Sequence, residues 1–264
     1  MQLRDKTVLL TGAGGGIGRQ VAAQLLARGA RVLATGSRLA PLQQLQAELG
    51  QTGSQLQILE LDLGAENLAQ RVEELQQAYP QIDVVIHCAG VSHFVPCDKP
   101  VLGQLMHTLT INLNAMVTLT TLLLPALKQR PEAAVVGVGS TFGSIGYPGF
   151  AVYSASKFGA RGYLEALRRE LADTSVKVFY VSPRATRTGM NNGAVEAMNQ
   201  ALGNRMDDPQ WVAQQLVKAL ETDRFKLFLG WPERLFVVIN GLFSSLVDRA
   251  LGKQLPVIRQ YLKS

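Results

Sequence analysis

A tyrosine and a lysine four residues apart carry the chemistry that this chain is best equipped to perform. Tyr153 and Lys157 stand in the segment Tyr-Ser-Ala-Ser-Lys, thirteen residues after Ser140. On a helix, positions i and i+4 share one face, so the Lys157 ammonium is expected beside the Tyr153 phenol. A neighbouring cation favours the phenolate and lowers a tyrosine pKa from its usual value of about 10. A tyrosine tuned in this way gives a proton to a carbonyl oxygen or takes one from an alcohol.

A glycine-rich turn near the start of the chain is typical of a dinucleotide site. The segment reads Thr-Gly-Ala-Gly-Gly-Gly-Ile-Gly and lies between a predicted strand and a predicted helix. Glycines let the backbone approach a pyrophosphate, and the following helix offers its N-terminal amides and dipole to the anion. Such runs also serve as plain turns, but the strand–turn–helix context favours a nucleotide. The residues expected to bind it are Thr11, Gly12, Gly14, Gly15, Gly16, Ile17 and Gly18.

The end of the second predicted strand indicates which nicotinamide cofactor is used. An acidic residue there binds a ribose 2′-hydroxyl, whereas an arginine accommodates a 2′-phosphate. This chain has Ser37 and Arg38 at that place and no Asp or Glu. We therefore predict NADP(H) over NAD(H), the alternative being that Arg38 is simply solvated surface. Asp62, followed by Leu63, comes after the third strand. It is predicted to bind the adenine amine or, alternatively, to cap a helix.

Strand and helix patterns alternate along the chain. The predicted strands are Thr7–Thr11, Arg31–Thr35, Gln55–Glu60, Ile82–His87, Ala134–Gly139, Val176–Val181 and Lys226–Leu229. The predicted helices are Ile17–Arg28, Pro41–Leu49, Glu66–Tyr79, Leu102–Lys128, Ala151–Ala172 and Pro209–Leu220. This alternation predicts an α/β fold, a Rossmann-like doubly wound parallel sheet of about seven strands. We expect a single domain over residues 1–230 and an amphipathic helical extension over residues 231–264.

Composition narrows the classes of protein that remain. With 264 residues and 47% hydrophobic residues, the chain is long enough to bury a large core. Its start lacks the pattern of a secretory leader, which predicts a cytoplasmic location. The two cysteines, Cys88 and Cys97, are expected to be reduced thiols. The three histidines have no metal-ligand spacing, so we predict no catalytic metal.

The net charge of +6 does not indicate a nucleic-acid partner. Between Arg224 and Lys263 lie seven basic and two acidic residues, so nearly all the excess sits in the C-terminal tail. The remainder of the chain is close to neutral. A nucleic-acid site needs a basic face on the folded domain, and the sequence predicts none.

Together, the motifs resemble the short-chain dehydrogenase/reductase family. The resemblance covers residues 5 to about 222 and rests on the glycine turn, Asp62, Asn112, Ser140, Tyr153 and Lys157. It implies that Tyr153 is the general acid/base, that Ser140 hydrogen-bonds the substrate oxygen, and that Lys157 also holds the nicotinamide ribose. It implies that Asn112 kinks a helix and anchors a water. Further cofactor contacts are implied for Ala89, Gly90, Pro183, Thr186 and Thr188. The family commonly forms dimers or tetramers through the helices that carry Asn112 and Tyr153, so we expect a homo-oligomer.

Two positions depart from the family pattern. The family usually has Asn-Ala-Gly after the fourth strand, and this chain has Cys88 in place of the asparagine. We interpret Cys88 as a small buried filler. The family usually shows Pro-Gly after the sixth strand, and this chain has Pro183 followed by Arg184. Arg184 is expected to contact an anionic substrate group, to contact a cofactor phosphate, or to point into solvent.

The last third of the chain contains two segments that are expected to cover the substrate. Residues 188–206 match the family's mobile lid, in which Met190, Met198 and Met206 either line an apolar pocket or pack helices. Residues 233–252 are apolar at helical spacing, with a stripe of Leu235, Ile239, Leu242, Leu246 and Ala250. The run is too short to span a membrane. Its basic flanks suggest a peripheral helix over residues 232–252 on an anionic membrane. Packing on the body or a neighbouring subunit, over the mouth of the active site, is an equal alternative.

These observations lead to two functional hypotheses. The first is an NADPH-dependent oxidoreductase that reversibly reduces the carbonyl of an apolar or lipid-like ketone. The second is an NADP(H)-binding sensor or scaffold with the same fold and weak turnover, which is motivated by Arg184 and Cys88.

Overall fold

A computed structural model of the protein describes residues 1–50, 55–99, 101–191 and 193–262. In this part of the chain, seven strands form one parallel sheet in the order β3-β2-β1-β4-β5-β6-β7, which confirms the predicted fold class. The strands are β1 Thr7–Thr11, β2 Arg31–Gly36, β3 Leu56–Glu60, β4 Ile82–His87, β5 Ala133–Val138, β6 Val176–Ser182 and β7 Lys226–Phe228. Their ends differ from the predicted ends by about one residue, as strand ends commonly do.

Helices cover both faces of the sheet. They are α1 Gly16–Leu26, α2 Leu39–Leu49, α3 Leu68–Ala78, α4 Leu102–Leu109, α5 Ala115–Leu127, α6 Ala151–Glu170, α7 Gly193–Ala201, α8 Pro209–Glu221, α9 Glu233–Leu242 and α10 Ser244–Leu262. Alternate residues of each central strand point to opposite faces, so Val8 and Leu10 pack with α1, α2 and α8, while Leu9 packs with α3, α5 and α6. Because both faces are covered, β1, β4 and β5 are buried along their whole length.

The single helix predicted over Leu102–Lys128 is interrupted. Between α4 and α5, residues Thr110–Asn114 form a π-helical turn that contains the buried Asn112. Turns of this kind are often found at functional sites. By length and apolar composition alone, Leu102–Lys128 could also cross a membrane, a test that buried core helices pass as well. Here the inner side of α5 packs against the sheet.

The C-terminal tail consists of two helices, not the single one expected over residues 233–252. Helix α9 ends at Leu242, and α10 runs from Ser244 to Leu262. The far end of α10 packs on the body of the protein, where Ile258 is fully buried. The division of the chain at residue 230 stays a prediction.

The order of the strands determines where a ligand can bind. The sheet grows outwards in both directions from the neighbouring strands β1 and β4. In open α/β sheets, ligands bind at the carboxyl ends of the strands where the order reverses. The turn after β1 and the loop after β4 meet at that point.

Candidate active site

Glycines in the turn after β1 allow three backbone segments to meet closely. Gly12 has a φ of +66°, which glycine adopts without strain. A Cβ atom at Gly12 would lie 2.6 Å from the Cα of Ala89, in the loop after β4. At Gly18, in the first turn of α1, a Cβ atom would lie 2.1 Å from the carbonyl oxygen of Gly12. These contacts bring the N-terminus of α1 to the edge of a long cleft.

The cleft has a volume of about 890 Å³ and runs from the glycine turn to Tyr153. Most residues predicted to bind cofactor or substrate line it. They are Gly12, Gly14, Gly15, Gly16, Ile17, Gly18, Ser37, Arg38, Asp62, Leu63, Ala89, Gly90, Ser140, Tyr153, Lys157, Pro183, Thr186 and Thr188. Thr11 and Asn112 do not line the cleft and lie behind its wall.

Thr11 was expected to contact the cofactor, but in this structure it does not reach the cleft. Its side chain is buried, and its Oγ1 accepts hydrogen bonds from the amides of Cys88 and Ala89 at 3.1 and 3.2 Å. The same hydroxyl donates to the carbonyl of Ile86 at 3.4 Å. Thr11 therefore fixes the loop after β4 against the end of β1, and it shapes the cleft from behind.

The far end of the cleft is formed by the residues that follow β2 and β3. Ser37 and Arg38 are exposed there, and Arg38 precedes the first turn of α2. No acidic side chain of the described residues forms an ion pair with Arg38. Asp62 Oδ1 accepts a hydrogen bond from the amide of Gly64 at 2.9 Å, so it caps its own turn while also lining the cleft. This end of the cleft therefore offers the planar guanidinium of Arg38 beside the hydroxyl of Ser37.

Ser140 and Tyr153 meet in the floor of the cleft. Ser140 follows β5, and Tyr153 lies in the first turn of α6. Both side chains line the cleft, and the Ser140 hydroxyl lies near enough to the Tyr153 phenol to act on its pKa. Ser140 is itself held in place, since its Oγ accepts from the amide of Phe142 at 3.2 Å and its carbonyl accepts from the Tyr180 hydroxyl at 3.3 Å.

The pKa of Tyr153 is raised in this structure, against the expectation that it is lowered. Burial raises the Tyr153 pKa to about 12, and the Ser140 hydroxyl opposes that rise only in part. The Lys157 ammonium lies 5.8 Å from the centre of the Tyr153 ring and donates to the carbonyl of Val138 at 3.0 Å. Burial also lowers the pKa of Lys157 to about 8. Tyr153 is thus held as a neutral phenol near neutral pH, the form that donates a proton.

Asn112 joins the π-helical turn to two neighbouring elements. Its Nδ2 donates to the Val91 carbonyl at 2.9 Å, and its Oδ1 accepts from the Val91 amide at 2.8 Å. The same Nδ2 donates to Ser156 Oγ at 3.0 Å, and Ser156 donates in turn to the carbonyl of Tyr153 at 2.7 Å. Asn112 therefore positions the loop after β4 against α6 without touching the cleft.

None of the three expected roles of Arg184 describes what its guanidinium does. It donates to Asp207 Oδ1 from Nε and Nη2 at 3.0 and 2.8 Å. Its Nη1 donates to the carboxylate of Glu233 at 3.0 and 3.2 Å and to the Trp231 carbonyl at 3.4 Å. Arg184 lines the cleft, but its charge is committed to two carboxylates, one at the end of the lid and one at the start of the tail.

The substrate end of the cleft contains a group of aromatic residues that the sequence reasoning did not single out. We call Phe94, Phe142, Tyr147, Phe150 and Tyr153 the aromatic cluster. Phe142 stacks on Tyr147 with ring centres 4.7 Å apart, and Phe94 stacks on Phe150 at 4.9 Å. Three of these rings lie between Ser140 and Tyr153 in the sequence. This position in the sequence, between the two candidate catalytic residues, could have indicated that these three rings lie near the site.

The lid and the tail both pack on the aromatic cluster. Met198 and Val195, on α7 within the lid, are buried against it. Ile258, Tyr261 and Leu262, near the end of α10, join the same cluster. Met198 has both of the roles expected for the lid methionines, since it packs helix α7 and also lines the cleft. Met190 lines the cleft and is exposed.

Metal chemistry has little support among the residues that the structure describes. There, no group of three or more His, Cys, Asp or Glu side chains is arranged to hold an ion. His87 is buried with its Nε2 2.8 Å from Thr120 Oγ1, and burial lowers its pKa to about 3. The absence of a catalytic metal stays a prediction.

Comparison with protein families decides which group of proteins has this arrangement. The sequence profile of the short chain dehydrogenase family matches residues 6–199. The chain belongs to the short-chain dehydrogenase/reductase family. The match begins just before the glycine turn and ends in α7, so it includes both Ser140 and the Tyr153–Lys157 pair.

Two relatives show how far the similarity extends. An uncharacterized oxidoreductase of Myxococcus xanthus is 32% identical over 253 residues, which cover 94% of this chain and 98% of that protein. The mouse dehydrogenase/reductase SDR family member 7B is 31% identical over 207 residues, which cover 76% of this chain and 64% of the mouse protein. The chain therefore spans less than two thirds of the length of the mouse relative.

Solved structures of this family share the fold. A short chain dehydrogenase from Burkholderia cenocepacia in complex with NADP superimposes with a TM-score of 0.81 at 22% identity, covering 95% of this chain and 99% of that one. A short chain dehydrogenase/reductase from Burkholderia phymatum in complex with NAD gives 0.83 at 18% identity, covering 93% and 96%. At these identities the likeness is one of fold, and the two cofactors differ.

Cys88 occupies the position where this family usually has asparagine. It lies at the edge of the core and also lines the cleft, and burial raises the pKa of its thiol to about 12. It therefore stays a neutral thiol. Thr11 binds the backbone amide of Cys88, and it tethers the loop that the family's asparagine usually ties down.

Proposed function

We propose that the protein is an NADPH-dependent oxidoreductase that reduces the carbonyl of an apolar or lipid-like ketone to an alcohol, reversibly. The observation that carries this proposal is the placement of Ser140 and Tyr153 together in the floor of the cleft. A proton donor and a second hydroxyl stand together there, and this is the pair of groups that a developing alkoxide needs.

In the proposed reaction, Tyr153 donates its phenolic proton to the substrate oxygen. Ser140 donates a hydrogen bond to the same oxygen, where negative charge develops. A nicotinamide cofactor, when bound in the cleft, would supply the hydride for the carbonyl carbon. Lys157 is buried beside Gly90 and Asn112, and it offers an ammonium to stabilise the phenolate that remains. Asn112 acts as a positioning residue through Ser156 and Val91.

The residues around the glycine turn fit a dinucleotide. Side chains are absent where Gly12 and Gly18 bring the backbone close, so amides of the turn and of α1 are open to a pyrophosphate. Ser37 and Arg38 would hold a 2′-phosphate, which supports NADP(H) over NAD(H). Asp62 and Leu63 would hold the adenine, while Gly90, Lys157, Pro183, Thr186 and Thr188 would hold the nicotinamide half.

Apolar side chains at the substrate end support an apolar ketone. Phe142, Phe150, Val195 and Met198 line the cleft beyond Tyr153. Such a surface favours hydrocarbon over charged groups. We further propose that the protein is cytoplasmic and forms a homo-oligomer. The oligomer is supported by the exposed apolar side chains of Leu102, Met106 and Phe158, on the helices beside Asn112 and Tyr153.

An NADP(H)-binding sensor without turnover is the alternative. This alternative was suggested by Arg184, because an unpaired positive charge near the reacting centre would disturb catalysis. The ion pairs of Arg184 with Asp207 and Glu233 neutralise that charge, so we favour the enzyme. The sensor predicts tight NADPH binding with no oxidation on any carbonyl compound.

The proposal is tested by measuring NADPH and NADH binding by fluorescence and then oxidation of NADPH with aliphatic, steroidal and acyl ketones. Tyr153→Phe is expected to lower kcat by roughly 10²- to 10⁴-fold, the usual contribution of a general acid. NADPH binding should persist in this variant. Tyr163→Phe is the matched control, since Tyr163 lies on the same helix α6 outside the cleft. Full turnover in Tyr153→Phe would overturn the mechanism, and binding without turnover in the native protein would favour the sensor.

A further inference from the structure

The C-terminal tail presents a row of large apolar side chains to solvent. We call this set the tail face. Its members are Trp231, Leu235, Phe236, Val238, Leu242, Phe243 and Leu246, all of them exposed. Three are aromatic, and they run from just before α9 into the first turn of α10. A monomer rarely exposes so many large apolar residues together unless they bind something.

The opposite side of the tail is fixed to the protein body. Glu233 pairs with Arg184 at the start of α9, and Asn240 Nδ2 donates to the Ser144 carbonyl at 2.9 Å. In α10, Val247 and Ile258 are buried. The tail face is therefore the outer side of a docked element, and its exposure does not come from a detached segment.

Charge along the tail face distinguishes among its possible occupants. By helical spacing, Arg249 and Lys253 stand on the same side of α10 as Leu246, whereas Asp248 falls on the other side. A second copy of the chain docked here about a two-fold axis would present the same face, with the same cations, and no excess of negative charge. A surface of negative charge over hydrocarbon complements both the cations and the apolar side chains.

We propose that the tail face binds the surface of an anionic phospholipid bilayer. Trp231, Phe236, Leu242 and Phe243 enter the boundary between headgroups and acyl chains, while Arg249 and Lys253 meet lipid phosphates and carboxylates. The other end of α10 packs on the aromatic cluster at the substrate end of the cleft. If the protein is the proposed reductase, binding of the tail face would hold the cleft next to the membrane, in which a lipid-like ketone dissolves.

Vesicle flotation tests the surface without any turnover. The full chain should float with phosphatidylcholine vesicles that contain phosphatidylserine. Leu242→Glu should weaken this binding about tenfold or more, since it removes a side chain whose burial contributes about 1.5–3 kcal/mol. The control is Leu39→Glu, because Leu39 is an exposed leucine at the start of α2, outside both the tail face and the proposed subunit contact. Leu39→Glu should bind like the native protein, and thermal unfolding should confirm that both variants are folded.

The electrostatic part of the proposal has its own test. Arg249→Gln should weaken binding to phosphatidylserine vesicles about fivefold, the value of one cation near an anionic membrane. It should leave binding to pure phosphatidylcholine unchanged. Absence of flotation in the native protein would overturn the proposal. If Leu242→Glu instead dissociates an oligomer in size-exclusion chromatography, the occupant is a second copy and the proposal is wrong. Turnover of a water-soluble ketone reports on the reductase function separately.

Discussion

The guanidinium of Arg184 donates to one carboxylate oxygen of Asp207 from two of its nitrogens, at 2.8 and 3.0 Å. Asp207 closes the lid, since its amide donates to the Ala185 carbonyl and its carbonyl accepts from the Arg187 amide. The remaining terminal nitrogen of Arg184 binds Glu233, the first residue of α9. One side chain thus joins the two ends of the lid to the tail.

Removing this side chain should loosen the lid and the tail together. Arg184→Gly leaves the nearly buried carboxylate of Asp207 without its partner, which typically costs about 3 kcal/mol of unfolding free energy. We expect the tail to become sensitive to limited proteolysis and the KM for an apolar ketone to rise. NADPH binding should weaken as well, because the loosened segment carries Thr186 and Thr188, which are proposed to hold the nicotinamide half of the cofactor.

The neighbouring ion pair of Arg187 and Asp208 provides the control for Arg184. Both of its side chains are exposed and their nitrogen and oxygen are 3.4 Å apart. Because exposed pairs contribute less than about 1 kcal/mol, Arg187→Gly should barely alter unfolding in urea. Equal destabilisation by the two variants would show that Arg184 is not a specific link.

Lys157 should give the reaction a pH dependence. Its pKa of about 8 in the folded protein means that the ammonium is lost as pH rises through that value, while Tyr153 with a pKa of about 12 keeps its proton. If the ammonium stabilises the reacting phenolate, kcat/KM for ketone reduction is constant below pH 7 and falls above pH 8. A profile that stays level to pH 10 would argue that the Lys157 charge is not used.

The same pKa shift has a consequence for stability. Burial lowers the Lys157 pKa from 10.5, its value in the unfolded chain, to about 8. Between these values the unfolded state binds more protons, so this residue makes the free energy of unfolding rise with pH, by up to roughly 1.4 kcal/mol per pH unit. Lys157→Met should remove this rise. Urea unfolding of both proteins between pH 7 and 10 measures the difference.

The sequence predicted the fold and most of the cleft because both depend on local patterns. Apolar runs separated by amphipathic stretches define the sheet, and the glycine turn is contiguous in the sequence. What it did not predict depends on residues that are distant along the chain. Glu233 lies 49 residues from Arg184, and Thr11 lies 77 residues from Cys88. No spacing rule connects such pairs.

The pKa of Tyr153 was predicted with the wrong sign for a different physical reason. The i to i+4 spacing correctly places Lys157 and Tyr153 on one face of α6. It carries no information about desolvation, which is the largest cause of the pKa shift of both side chains. Similarly, the apolar stripe of the tail correctly indicated helix, but it did not show that the chain breaks at Phe243.

Arg38 should decide cofactor preference. Arg38→Ala removes the fork that would hold a 2′-phosphate, and charge-assisted hydrogen bonds of this kind contribute about 1.5–3 kcal/mol. We expect NADPH binding to weaken by about tenfold to a hundredfold while NADH binding is unchanged, measured by fluorescence titration. Arg19→Ala is the control, because Arg19 lies on α1 and pairs with Glu48. Unchanged NADPH binding in Arg38→Ala would mean that Arg38 is only solvated surface.

Thr11 should act on the cleft through the loop after β4. Thr11→Val keeps the shape of the side chain but leaves the amides of Cys88 and Ala89 without their acceptor. Leaving buried donors unpaired costs about 1–3 kcal/mol each, so unfolding in urea should begin at a clearly lower concentration. Thr11→Ser retains the hydroxyl and should restore most of the loss.

Thr35→Val is the control for Thr11→Val, because it shows what the loss of any buried threonine hydroxyl does to stability. Thr35 is buried on β2 and donates a single bond, at 3.3 Å, to the Leu10 carbonyl. The Thr35 hydroxyl accepts no backbone amide from the loop after β4, so Thr35→Val should be milder than Thr11→Val and should weaken NADPH binding less. Thr11→Val should weaken NADPH binding as well, because the loop that it releases carries Ala89 and Gly90 at the cleft wall. If NADPH affinity is the same in both variants, the loop holds its position without Thr11.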